Sequence, residues 1–184
     1  HMTKEASKLG VAGILAVTPY YNRPSQAGID AHMRAVCAAT TLPVVIYDIP
    51  VRTGRKINTP TLAKLANEVK NVAGVKDAAG NPAESARLMT MVPKSFELIS
   101  GDDGLTLPLM AVGCTAVIGV ATHWSGVDHQ EMFKKWNAGD TAGARAVNAR
   151  LVESFAFETG DDNPNPLPTK AMMNHLGLDV GDAR

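Results

Sequence analysis

Cysteine is scarce in this chain, aromatic residues are few, and neither sign of charge prevails. The two cysteines, Cys37 and Cys114, lie far apart, with the spacing of neither a metal knuckle nor a redox pair. They read as packed thiols in a reducing cytoplasm. Eighteen basic residues balance eighteen acidic ones, so no net field recruits nucleic acid or an anionic membrane. That leaves small molecules or other protein chains as partners. No apolar run reaches the length of a membrane span, and no signal peptide precedes the first apolar stretch. His1-Met2 reads as a cloning remnant, which leaves the native start open. Also missing is any G-x-G-x-x-G or Walker pattern, the usual mark of a doubly wound nucleotide-binding sheet. His123 and His129 share no spacing with a carboxylate ligand set, so they read as core or surface residues and no metal is expected.

What is present is a repeated alternation. The chain is 45% hydrophobic and 20% charged, enough to bury one core. Five apolar, non-alternating runs read as buried parallel strands: Leu9 to Val17, Leu42 to Tyr47, Val72 onward to Lys76, Phe96 to Ser100, and Thr115 to Val120. Helical spacing follows each of them. Ser25 is placed to cap the first helix, with Ile29, Met33, Val36 and Cys37 inward; Thr59-Pro60 and Asn81-Pro82 announce the next two. The acids of Gly101-Asp-Asp-Gly104 are placed to cap a helix from Leu105 to Val112, and an amphipathic segment runs from Val127 to Ala138. After Gly139 the pattern turns wholly helical, with Asp140 capping a segment to about Phe157, then a loop over 161–168 and a short helix ending at Gly177. The expected organisation is an α/β fold, a partial TIM (β/α)8 barrel of about five βα units over 1–139, with a C-terminal helical segment over 140–184.

Barrels and parallel sheets gather ligands at the carboxyl ends of their strands. There the chain places Lys76, Tyr47 and the Gly101-Asp-Asp turn, with Arg52 in the loop after Tyr47 and Tyr20-Tyr21 in a loop stiffened by Pro19 and Pro24. Each has a plainer reading. Lys76 is also a strand-end lysine that Asp77 can pair; the tyrosines also serve as rim packing, Arg52 as a surface ion pair, and Asp102 and Asp103 as caps.

Four stretches at these strand ends resemble the dihydrodipicolinate synthase and N-acetylneuraminate lyase superfamily of Schiff-base aldolases. They are VTPYYNRPSQ (17–26), YDIPVRTG (47–54), GVKDAAGN (74–81) and SGDD (100–103). The arginine of RTG is similar to the dihydrodipicolinate synthase branch. That resemblance implies a condensation of pyruvate with L-aspartate 4-semialdehyde on the diaminopimelate route to lysine, through a covalent imine on Lys76 and without a cofactor. It also implies Tyr47 as a proton-relay phenol, Tyr21 as a second phenol reaching a neighbouring subunit of a homo-oligomer, Arg52 as the carboxylate clamp, and Gly101 and Ile118 as pyruvate-pocket positions acting through their backbone. Asp48 departs from the asparagine common at its position.

The chemistry is coherent with the residues. An unperturbed lysine, of pKa about 10.4, is neutral in only about one molecule in 2,500 at pH 7, and burial raises that fraction. The resemblance begins at the fourth of eight strands, so the units supplying the relay threonines are absent. A five-unit remnant is expected to expose an inner face at Ile14, Val45, Val75, Ile99 and Ile118 and two strand edges. A catalytically silent, self-associating fragment, or another pyruvate-dependent aldolase of the superfamily, is therefore the alternative.

Overall fold

A computed structural model describes residues 1–158, 160 and 162–183. Of the loop expected over 161–168, Asp161 lies outside the described residues, as do Thr159 and Arg184 of the C-terminal segment. Five parallel strands form one sheet in sequential order: β1 (Ile14–Val17), β2 (Val44–Asp48), β3 (Val72–Asp77), β4 (Glu97–Ser100) and β5 (Cys114–Val117). Sequential order in an all-parallel sheet, with helices on one face, is an arc of a (β/α)8 barrel rather than a doubly wound sheet, whose order reverses at a switch point. The helices are α1 (Met2–Ala6), α2 (Gln26–Cys37), α3 (Pro50–Thr53), α4 (Thr59–Glu68), α5 (Pro82–Met89), α6 (Thr106–Met110), α7 (Thr122–Asn137), α8 (Thr141–Glu158) and α9 (Leu167–His175).

Side-chain oxygens start the helices by satisfying amides that have no partner in the first turn. Ser25 Oγ accepts from Gly28 N–H, and Asn81 Oδ1 accepts from Glu84 N–H, as the sequence predicts. Elsewhere the ends move. The cap of α4 is Asn58, whose Oδ1 accepts from Thr61 N–H at 3.0 Å, and Thr59 is the first helical residue. Pro60 follows within the first turn, where a missing N–H costs nothing. Of the two acids after Gly101, only Asp102 caps, accepting from Leu105 N–H at the start of one 3₁₀ turn (Asp103–Leu105) that leads into α6. Of the run Leu9 to Val17, only the last four residues form strand; Leu9 lies exposed in the turn after α1, its N–H donating to Ala6 O at 3.1 Å. Helices α1 and α3 had no counterpart in the sequence pattern.

The core lies between sheet and helices. Val44, Ile46, Val75 and Leu98 point outward from the sheet and meet Ile29 and Met33 of α2, Leu62 and Leu65 of α4, Leu88 of α5 and Leu109 of α6. Ala144, Val147 and Leu151 of α8 join the same buried cluster, alongside Met132 of α7. The opposite face carries a layer at one height, Val17, Tyr47, Lys76, Ile99 and Ala116, paired in register across all five strands. Val45, Ile99 and Ile118 of the expected inner face lie on this side, but Ile14 and Val75 do not. Val75 is 1% exposed and sits under the helices, and Ile14 packs against the core; Leu15 and Val17, one position along, are the exposed apolar groups of β1. With a side-chain period of two, an error of one residue exchanges the faces.

Candidate active site

Lys76 is the penultimate residue of β3, and its position on the inner face follows from the strand's alternation: Val75 and Asp77 turn outward, so the residue between them turns in. Asp77 does not pair it. Its carboxylate accepts from Ser85 Oγ at 2.5 Å and from Ala79 N–H at 2.9 Å, closing the turn into α5. Among the described residues, no hydrogen bond or ion pair engages Lys76 Nζ, which lies 4.1 Å from the centre of the Tyr47 ring on the neighbouring strand. A cation over a phenol face is favourable, so this placement orients the amine without neutralising it. Burial pulls Lys76 below the ordinary lysine value, against the opposing charge of Asp103. The Tyr47 hydroxyl is raised by burial, against the nearby Arg52.

The loops around these two groups complete a cavity of about 880 Å³ at the carboxyl ends of the strands. Tyr47, Arg52, Lys76, Gly101 and Ile118 all line it, so five of the six residues singled out from the sequence converge. Arg52 is brought there by α3, the short helix between β2 and α4. Gly101 is required by the lysine itself: a Cβ there would fall 2.9 Å from Lys76 Cγ and 3.0 Å from its Cε. The amides of Gly101 and Ile118 are engaged in extending the sheet, donating to Asp77 O at 2.8 Å and Ser100 O at 2.9 Å. Their N–H groups are therefore already committed, which narrows the backbone role expected of them to the carbonyls.

Tyr21 is the sixth, and it does not join the cavity. It is 95% exposed, with φ of 64° in a region that non-glycine residues seldom occupy. The loop is held against the one after β2, since Arg23 Nε donates to Gly54 O at 2.8 Å and Arg55 Nη2 donates to Arg23 O at 3.2 Å. The phenol is thus presented outward.

Sequence reasoning named Asp48 and read His129 as a core or surface residue without an environment for either, and it missed Glu158, Asn165 and Thr169. Asp48, on the helix side of β2, is 1% exposed; its Oδ1 accepts from Ile57 N–H at 3.1 Å and its Oδ2 lies 3.6 Å from Lys56 Nζ. Burial pushes it up to about 6, against those two partners. His129 is a core residue, 2% exposed, with Nε2 3.5 Å from Asp103 Oδ1. Glu158, Asn165 and Thr169 reach the cavity from the C-terminal segment, and Glu158 is pushed up to about 8, first by burial and then by the charge of Asp103. No local pattern marks them, because they come from helix ends and a loop whose placement depends on how α8 docks. The cysteines are buried free thiols, and no helix among the described residues is long and apolar enough to cross a membrane.

An arc of a (β/α)8 barrel with an unpaired amine at the carboxyl end of a central strand defines the broad class, a barrel whose polar groups gather where such folds carry their sites. The chain belongs to the dihydrodipicolinate synthetase family, whose model matches residues 1–184. It is 44% identical over 185 residues to the 4-hydroxy-tetrahydrodipicolinate synthase of Moorella thermoacetica, covering 100% of this chain and 62% of that protein. The enzyme of the same name from the methanotroph Methylacidiphilum fumariolicum SolV superposes with a TM-score of 0.95 at 37% identity, over 100% of this chain and 61% of that one. A chloride-inhibited dihydrodipicolinate synthase from Acinetobacter baumannii, solved with pyruvate, superposes with a TM-score of 0.91 at 32% identity over 99% of this chain and 62% of that one. The chain thus spans about 62% of the length of such relatives.

Proposed function

We propose that this chain carries the imine-forming half of a 4-hydroxy-tetrahydrodipicolinate synthase site, with Lys76 as the nucleophile, pyruvate as first substrate and L-aspartate 4-semialdehyde as second. The observation that carries the reading is the unpaired, half-buried amine of Lys76 over the Tyr47 ring, held in a cavity that also contains Arg52. Lys76 Nζ attacks the keto carbon of pyruvate, and loss of one water gives the imine. The imine nitrogen draws electrons from the methyl carbon, which loses a proton to a base and becomes an enamine carbon. That carbon bonds to the aldehyde carbon of the second substrate, whose oxygen takes up a proton. The substrate's own amine then displaces Lys76 from the imine and returns the free lysine, so no separate cofactor is needed. Tyr47, whose ring lies 4.1 Å from Nζ, is the phenol assigned to relay protons at the imine. Arg52 is the cation available to clamp the second substrate's carboxylate through paired hydrogen bonds. Tyr21, presented outward, fits a role in a neighbouring copy of the chain.

A second reading is favoured by the open inner face, where Leu15 and Val17 remain exposed, and by the two unpaired edge strands. In it the chain forms the imine without turning over. Borohydride reduction in the presence of pyruvate tests the shared step, since only an imine is trapped this way. Peptide mapping is expected to place the adduct on Lys76. A label on Lys56, Lys64 or Lys70 would overturn the assignment, and release of the cyclised product in a coupled assay would remove the silent alternative.

A further inference from the structure

Two buried carboxyl groups, Asp103 and Glu158, line the Lys76 cavity, and the chemistry above uses neither. Asp103 comes from the turn after β4 and Glu158 from the last turn of α8; they are 1% and 7% exposed. They accept from two consecutive amides, Asp103 Oδ2 from Val120 N–H at 2.6 Å and Glu158 Oε2 from Ala121 N–H at 3.2 Å. Those amides lie between β5 and α7, in the segment whose residues Ile118, Gly119 and Val120 form one wall of the cavity. The fit is close, because a Cβ on Gly119 would fall 2.1 Å from Asp103 Oδ1.

His129 of α7 completes the cluster. Its Nδ1 lies 3.0 Å from the carbonyl oxygen of Ser125, which can only accept, so Nδ1 carries a proton. Its Nε2 faces Asp103 Oδ1 at 3.5 Å, and neither atom has a hydrogen-bond partner among the described residues. Burial and the neighbouring charge of Asp103 both make Glu158 costly to ionise there.

We propose that Asp103 and Glu158 act as one buried carboxyl pair holding the segment after β5 and that Glu158 is a positioning residue of the Lys76 cavity. It holds the segment after β5 through Ala121 and, raised by burial, adds no charge of its own to the wall facing the amine at neutral pH. The functional half of this rests on the imine reading of Lys76. The charged and titratable groups around Glu158 are Asp102 and Asp103 from the turn after β4, His129 and His123 from α7, and Lys76 from β3 across the cavity. As pH rises and Glu158 loses its proton, a further negative charge enters the cavity wall. It favours the ammonium form of Lys76 and repels an anionic keto acid, so imine formation weakens.

Glu158→Gln tests this, because the amide keeps an acceptor for Ala121 and a donor toward Asp103 while fixing the neutral state. In protein labelled with carbon-13 at the glutamate carboxyls, the Glu158 signal, identified by its loss in the variant, is expected to titrate near pH 8. A midpoint near the ordinary value of about 4.3 would overturn the pair whether or not Lys76 reacts. The pyruvate concentration giving half-maximal borohydride labelling supplies the second readout. Its wild-type to variant ratio is expected to rise roughly fivefold between about pH 7 and about pH 9, the scale of one added charge near a half-buried amine. A constant ratio would overturn the positioning role. A high Glu158 midpoint with no label on Lys76 at any pH would support the pair and overturn the imine reading alone.

Discussion

Asp48 shows how one side chain couples the strand-end loop to stability. Its carboxyl is buried on the helix side of β2, and its value is raised from 3.8 to about 6 because burial outweighs the Ile57 amide and Lys56. For a carboxyl raised in the folded state, the unfolded chain gives up its proton first. Its stabilising contribution is complete below about 4 and fades as pH rises through about 6, a swing of roughly 3 kcal/mol from the two values. Asp48→Asn keeps an acceptor for Ile57 N–H and removes the buried charge. Its stability relative to wild type should therefore climb from about pH 4 to about pH 7, even though Lys56 then faces no opposite charge on β2. Urea unfolding at several pH values measures this, and a difference independent of pH would show Asp48 to be ionised with ease.

At the scale of elements, helix starts are set by single side chains. Asn58 closes the first turn of α4 through Thr61 N–H while its own amide donates to Gln26 Oε1 at 3.0 Å, joining α4 to α2. Asn58→Ala is expected to lower stability by about 1 kcal/mol, the usual worth of an N-cap. Equilibrium denaturation checks this, and no change would mean that water replaces the cap at no cost. The helix survives such a change because Leu62, Leu65 and Ala66 still bury its inner face.

The molecule as a whole leaves one side of its sheet uncovered. Leu15 is 47% exposed, Val17 37% and Ile118 42%, and β1 and β5 each present an unpaired edge. Parallel sheets are ordinarily covered on both faces, and open edges template further pairing. Self-association of the chain through this side is the expected outcome. Sedimentation velocity across a range of concentrations decides it, since a monomer throughout would show that the face tolerates water. In a full barrel the missing strands would occupy that side, consistent with a chain spanning about 62% of its relatives' length.

Much of this architecture was legible from residue order alone. Apolar runs separated by helical spacing, with Ser25 and Asn81 ahead of two helices, determined the number and sequence of the βα units, because caps and burial act over a few residues. The same locality placed Lys76 and Tyr47 at strand ends and Arg52 in the loop after β2. Face and partnership were decided only in three dimensions. Whether Val75 or its neighbour turned inward hung on a register that one residue reverses, and Asp103 left its role as a cap because the amide of Val120 engaged its carboxylate. Glu158 and His129 met it from α8 and α7, elements distant along the chain. Their carboxyl and imidazole groups acquired chemistry through docking, burial and mutual charge, none of which a local pattern encodes.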